Sequence, residues 1–460
     1  EDGRIAAVDA AHAPPGQFDG DIVDLTGTCL LPGLINHHAH GVTVGPRFAS
    51  GAPALTEAQV RAQLDAHLRA GVTTLLNLDG FALPEEVEAA AQLTPIRLRT
   101  ATVHTPRHRT AARRADGSGL SDRHRAFTAA EAAAHGAVAV GEVGSGHTLG
   151  GGGQEYMYLP QAIERATGVR LTPLQARRLK EAVLGRALDL RSPDRRLVAQ
   201  VLEELGLRGR LTVDQSVDLV RATVMPAVQP ALEAFPEAAR VALDLGLPMV
   251  VHTAAASRPA VEALLQDRRV GVPAGLRLVA GHANHDTFTP EEAVALARRL
   301  REHGVTVDVS TFDAFGARHT TASPDILFAM LAEGVVDTLS TDFGGGAPDP
   351  MLLAAREAVA RGLVSLPRVV VMMTANVAAA LPGLAPSRGV IARGEPADII
   401  WVDRDDIATV LGVMIGGRRI NPPPSRVPGG ETFPAGSSPS TDPAASSNAG
   451  PQGPGGPAGY

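Results

Sequence analysis

Eight short apolar runs recur between residues 30 and 343, most of them separated by a single Ala-rich helical pattern. The runs are LLPGLINHHAH (30–40), GVTTLLNLD (71–79), IRLRTATVHT (96–105), AVAVGEVGSG (137–146), LPMVVHT (247–253), RLVAGHAN (277–284), VTVDVSTF (305–312) and VDTLSTDF (336–343). Such alternation constrains the fold strongly, because a parallel strand can be reached only through a crossover long enough to hold a helix. TEAQVRAQLDAHLRAG (56–71) and TPEEAVALARRLREHG (289–304) are two of the helices. The second opens with Thr289 as N-cap and Pro290 at the first helical position, the preferred start of a helix. Eight β/α units predict an α/β chain whose residues 32–386 form a (β/α)8 TIM barrel.

Two regions fall outside that pattern. Residues 1–31 and 387–420 carry short β-like runs such as DIVDLTG and ADIIWVD; the reading is a small β-sandwich domain built from both termini. The fourth and fifth runs are also too far apart for one crossover, so residues 147–227 are read as a helical insertion, in which 171–190 and 192–206 have capped amphipathic patterns. LGGGGQ (149–154) is a flexible lead-in to it. It lacks the Lys-Ser/Thr that would close a phosphate loop. Residues 421–460 are rich in Pro, Gly, Ser and Ala and are expected to be a disordered tail.

Composition removes several classes of function. With a net charge of −7 and no basic run among aromatics, nucleic acid is not an expected partner. Cys29 is the one cysteine, so neither a disulfide framework nor a thiolate metal site can form within the chain. No apolar run is long enough to span a membrane. The chain opens on Glu1, and EDGRIAAVD reads as the middle of a hairpin, so preceding residues are expected to be missing. A cytoplasmic homo-oligomer acting on a small molecule is the default expectation.

Chemistry-bearing residues sit at the C-terminal ends of the runs, the active-site mouth of a barrel. They are His38 and His40 in the first run, Glu142 in the fourth, His252 in the fifth, His282 in the sixth and Asp342 in the eighth. Strand side chains alternate, so His38 and His40 share a face and His37 takes the other. One histidine at a strand end is more often a hydrogen-bonded rim residue than a ligand. Five strand ends that each present a ligand type make coincidence a poor account. Neutral imidazoles and carboxylates suit Zn2+ or a similar transition ion.

The segment LPGLINHHAHG resembles the first-strand signature of the amidohydrolase superfamily, Pro-Gly-Leu-Ile-Asp-x-His-x-His. TANVAAALPGLAPSRGVIARGEPADIIWVD (374–403) is similar to that family's return into its β domain. The resemblance implies a mono- or binuclear metal centre with His38, His40, His252, His282 and Asp342 as ligands. Asn36 stands where the family usually has Asp. Many binuclear members bridge their metals with a carboxylated lysine, and no Lys ends a strand here; Glu142 is the available substitute. Two Zn2+ per chain are expected, with Fe2+, Mn2+ or Co2+ as other occupants and a single metal as the alternative. The series GEVG, HT, GH and STD also resembles the enamidase type of cyclic amidohydrolase.

The implied reaction is cleavage of a C–N bond, in an amide or cyclic amide, by a metal-activated water with Asp342 as general base and then acid. Alternatives are deamination of a ring amine and a catalytically silent metal- or ligand-binding barrel. Deaminases of the superfamily usually carry His-x-x-Glu after the fifth-strand histidine, and HTAAAS (252–257) lacks it. At least one of the cations near the mouth is expected to hold a substrate carboxylate: His104, Arg107, His108 and Arg109 after the third run, Arg318 and His319 after the seventh, and His147 and His285. The insertion is read as a lid over the mouth, an oligomer contact or an inert ornament that only packs.

Overall fold

A computed structural model describes residues 2–8, 22–189, 192–315, 323–342 and 349–420. Its strands are β1 (Thr28–Pro32), β2 (Leu34–Ala39), β3 (Val72–Asn77), β4 (Arg97–Thr100), β5 (Val140–Val143), β6 (Met249–His252), β7 (Leu278–Gly281), β8 (Thr306–Ser310), β9 (Thr338–Ser340), β10 (Ile399–Asp403), β11 (Val410–Ile415) and β12 (Arg418–Ile420). The eight strands β2–β9 pair in parallel, as a three-stranded sheet β2-β3-β4 and a five-stranded sheet β5-β6-β7-β8-β9. Backbone bonds also cross between the sheets. Thr102 N–H donates to Ala139 O (3.0 Å) and Gly141 N–H to Thr102 O (3.0 Å) on one side, and Asp342 N–H donates to His38 O (3.0 Å) on the other.

Strand alternation sorts the apolar side chains into two cores. Ile35, Leu76, Val250 and Val279 belong to one cluster, while their chain neighbours Leu34, Leu75, Val251 and Ala280 belong to a larger one that includes helix residues. Both faces of these strands are therefore buried, as parallel sheets require. The helices begin where their caps predict: Thr56 and Thr289 close capping boxes with Gln59 and Glu292 at the starts of Glu57–Arg69 and Pro290–Glu302, satisfying N–H groups that a helix leaves unbonded.

The first apolar run, expected as one strand, is two. It divides at Gly33, whose N–H donates to Asp398 O (2.9 Å) and where any side chain would run into Thr73. β1 turns away to pair antiparallel with β10, giving a four-stranded sheet β1-β10-β11-β12. Among the described residues this sheet is a single layer from both ends of the chain. The predicted tail, 421–460, lies outside the described residues.

The insertion follows β5. It contains a π-helical turn Gln154–Tyr158 and helices Leu159–Thr167, Pro173–Leu184 and Arg195–Glu204. The boundary expected at residue 227 falls inside a continuous helix, Val213–Leu245, which leads directly into β6. No helix among the described residues is long and apolar enough to cross a membrane.

Candidate metal centre

Glu142 sits at the focus of the candidate site. It is buried in β5, after a cis Gly141–Glu142 peptide. Its Oε1 lies 2.8 Å from His282 Nε2, 3.3 Å from His252 Nδ1 and 3.5 Å from His38 Nε2, and its Oε2 lies 3.7 Å from His40 Nε2. Asp342 approaches from beyond β9, with Oδ1 3.4 Å from His38 Nε2 and 3.5 Å from His40 Nε2, and Oδ2 3.9 Å from His282 Nε2. All six candidate residues named from the sequence are thus brought together. His282 and Asp342 reach the focus from left-handed backbone, at φ 37° and 43°, a conformation that costs free energy in non-glycine residues and is held by its surroundings.

The donor set fits a metal ion. Three overlapping groups, His38/His40/Glu142, His38/His282/Asp342 and Glu142/His252/His282, each place their ligand atoms within 4.8 Å of one another. His38 Nε2 is buried and has no hydrogen-bond partner, although a buried imidazole nitrogen ordinarily finds one. The other rings are turned by outer partners. His40 Nδ1–H donates to Asp79 Oδ1 (3.1 Å), which leaves Nε2 toward Glu142 and Asp342. His252 Nε2–H donates to Gly150 O (3.2 Å), which leaves Nδ1 inward. Fixing the proton on one ring nitrogen in this way leaves the other nitrogen as the one that can give up its proton and present a lone pair to a cation.

The electrostatics point the same way. Burial alone would raise the Glu142 carboxyl, yet the imidazoles of His252, His282 and His38 beside it hold it well below its ordinary range. Burial would likewise raise Asp342, and the charges of His282 and His38 pull it down. Burial opposes protonation of His40, but Asp342 and Asp79 lift it to about 10; His282 is lifted to about 9 against burial, by Asp342 and Glu142. His252 is held neutral by burial, down at about 4. Two buried carboxylates among four imidazoles therefore favour positive charge at their centre, which a divalent cation supplies.

Supporting residues that the sequence did not single out complete the site. Asp79, buried just beyond the end of β3, accepts from His40, from Gly41 N–H (2.9 Å) and from Phe48 N–H (2.7 Å). Asp308, buried in β8, faces His37 Nε2 (3.2 Å) and accepts from His282 N–H (3.0 Å) and Ser340 Oγ–H (2.7 Å). His37 thus turns away from His38 and His40. Asn36 Nδ2–H donates to Thr341 Oγ1 (2.8 Å), tying β2 to the residue before Asp342. Each of these acids ends or lines a strand; that position was the signal available in the sequence.

The expected substrate cations divide. His285 packs against His252 and His282, with ring centroids 5.3 and 5.6 Å away, and its Nδ1 lies 3.2 Å from Asp286 Oδ1. His147 shares a hydrogen bond with Ser50 Oγ (2.7 Å) and stacks on Phe48, whose ring in turn meets His40. Burial pushes His147 down to about 3, so it borders the site as a neutral ring and not as the expected cation. His104 is a clearer correction. Its ring meets Phe81 and Phe127 edge-on, its Nδ1 bonds Thr102 Oγ1 (3.0 Å), and burial takes it to about 3; it is a packed neutral residue. The expected loop after the third run is a helix, Pro106–Ala115, in which Arg107 pairs with Glu233 (2.6 Å), Arg109 donates to Phe127 O (3.2 Å) and His108 is buried. Arg318 and His319 lie outside the described residues.

Parallel strands that carry four imidazoles and two carboxylates to one focus at their C-terminal ends define an α/β protein with a candidate site for divalent metal. Residues 210–420, which include His252, His282 and Asp342, match the amidohydrolase family. No curated protein matches the chain. Among solved structures it is similar to enamidase (15% identity, TM-score 0.48, covering 91% of this chain and 88% of that one). It is also similar to dihydropyrimidinase from Brevibacillus agri (15%, 0.47, 91% and 90%) and to N-acyl-D-glutamate deacylase from Bordetella bronchiseptica (16%, 0.46, 92% and 92%).

Proposed function

We propose that this protein is a binuclear metal-dependent hydrolase that opens a cyclic amide in a small molecule. The metal ligands are His38, His40, Glu142, His252, His282 and Asp342, and Zn2+ is the preferred ion. They stand at the mouth of a (β/α)8 barrel spanning 32–386, with a small β domain from 1–31 and 387–420. The observation that carries the reading is the position of Glu142: Oε1 faces His38, His252 and His282 while Oε2 faces His40. One carboxylate offering its two oxygens to two sets of imidazoles can bridge two cations without a modified lysine.

Bound divalent ions there would supply Lewis acidity, making a water acidic near neutral pH and polarising the scissile carbonyl. The protein's own groups do the rest. Asp342 is 20% exposed, against 4% or less for its five partners, so it is the group that meets substrate. Held ionised by His282 and His38, it accepts the proton of the attacking water and passes it to the departing nitrogen. Asp79 and Gly150 O keep His40 and His252 in the tautomers that aim a lone pair inward. The cyclic-amide preference rests on the GEVG, HT, GH and STD series and on the absence of His-x-x-Glu after His252.

Elemental analysis joined to an activity screen tests this reading. About two equivalents of metal per chain are expected, with turnover of a lactam, hydantoin or cyclic imide that chelation abolishes and Zn2+ restores. A protein that binds no metal refutes the proposal, and turnover confined to N-acyl amino acids overturns the cyclic substrate.

A further inference from the structure

The chain uses arginine almost everywhere a cation is needed, yet it keeps one lysine, Lys180, and buries it. Lys180 lies in the insertion helix Pro173–Leu184, and its Nζ bonds Glu155 Oε1. Glu155 is fully buried in the π-helical turn, and Arg177 bonds its other oxygen (2.8 Å). Arg177 also reaches Asp286 Oδ2 (2.6 Å), and Asp286 is the residue next to His285. Two acids and two bases thus form a largely buried chain from the insertion to the loop after β7. Burial opposes ionisation of Glu155, but Lys180 and Arg177 hold it below its ordinary range.

This chain of ion pairs closes on the glycine-rich segment expected to be a loose lead-in. Leu149, Gly150, Gly151 and Gly153 are buried. Glu155 N–H donates to Gly151 O (3.3 Å), a Cβ at Gly151 would stand 2.6 Å from His285 Nε2, and a Cβ at Gly150 would stand 3.9 Å from Lys180 Nζ. Gly150 O is the acceptor for His252 Nε2–H. A guanidinium is longer and planar, so in place of this compact ammonium it would press on the same backbone.

We infer that Lys180, through Glu155, is a positioning residue for the metal centre: the insertion clamps the Leu149–Gly153 backbone so that Gly150 O fixes His252 with Nδ1 inward. The insertion is then part of the metal site and not an ornament. The inference rests on the metal-centre reading above, and its test separates the two. Zn2+ affinity is measured by chelator competition on the whole chain, and the visible spectrum of the Co2+-loaded protein is recorded, for wild type, Lys180→Met, Lys180→Arg and Arg195→Ala. Arg195 pairs with Asp214 on the exposed side of the same insertion (2.5 Å) and serves as the control. Lys180→Met is expected to weaken Zn2+ binding ~10–100-fold, the usual effect of losing a ligand's outer partner, and to change the Co2+ spectrum. Arg195→Ala should do neither. If Lys180→Met fails to fold, Lys180→Arg carries the test, because it keeps the charge while displacing the glycine-rich segment. Wild-type affinity and spectrum in a folded Lys180 variant overturn the inference while the metal centre stands. A wild-type protein that binds neither ion removes both.

Discussion

Replacing Asp79 by Asn changes one atom and tests how the site is held. Asp79 Oδ1 accepts from His40 Nδ1–H and Phe48 N–H, and Oδ2 accepts from Gly41 N–H, all in buried surroundings. Asparagine offers one oxygen. If that oxygen serves His40 and Phe48, its NH2 opposes Gly41 N–H. If it serves Gly41, the NH2 opposes His40 and Phe48, and His40 can avoid the clash only with its remaining proton on Nε2, the nitrogen that faces Glu142 and Asp342. The first arrangement leaves a buried donor unbonded at a cost of ~1–3 kcal/mol. The second removes a lone pair from the metal centre, and weaker binding by ~10–100-fold follows. Urea unfolding of the apo protein and chelator competition with Zn2+ measure the two quantities. The reasoning predicts a loss in at least one of them. An Asp79→Asn protein whose stability lies within ~0.5 kcal/mol of wild type, with unchanged Zn2+ affinity, would refute it.

Two further substitutions separate positioning from chemistry. Gly281→Ala places a Cβ 2.9 Å from His38 Cε1 and 3.1 Å from Val251 O; since the backbone at β7 cannot retreat, the His38 ring must, and lower metal occupancy at near-wild-type helicity by circular dichroism is the expected result. Asp342→Asn keeps the size of the side chain but not the proton acceptor, so kcat should fall ~10²–10⁴-fold while a bound substrate analogue shows much the same Kd by calorimetry; an equal loss of both would assign Asp342 to binding.

The sequence by itself determined the repeating strand–helix order, the helix starts at Thr56 and Thr289, the separation of His37 from His38 and His40, and the six chemistry-bearing residues at strand ends. These are local properties: a cap, a period of two along a strand, and a ligand type at the end of an apolar run can be read within a few residues. Only the tertiary structure decided which atoms face one another. Asp79 and Asp308 look like ordinary acids until β2, β3, β7 and β8 lie side by side and their oxygens meet imidazoles and backbone N–H groups 26 to 39 residues away in sequence, or 271 in the case of His37. His104 and His147 have the residue type of a substrate cation, yet burial, a property of the packed whole, removes their charge. Gly33 divides one apolar run into two strands because Thr73, from a different strand, occupies the space its side chain would need. The glycine-rich segment 149–153 has the composition of a hinge. It becomes a wall of the site because Glu155, Lys180, Arg177 and Asp286, drawn from three separate parts of the chain, neutralise one another in the interior.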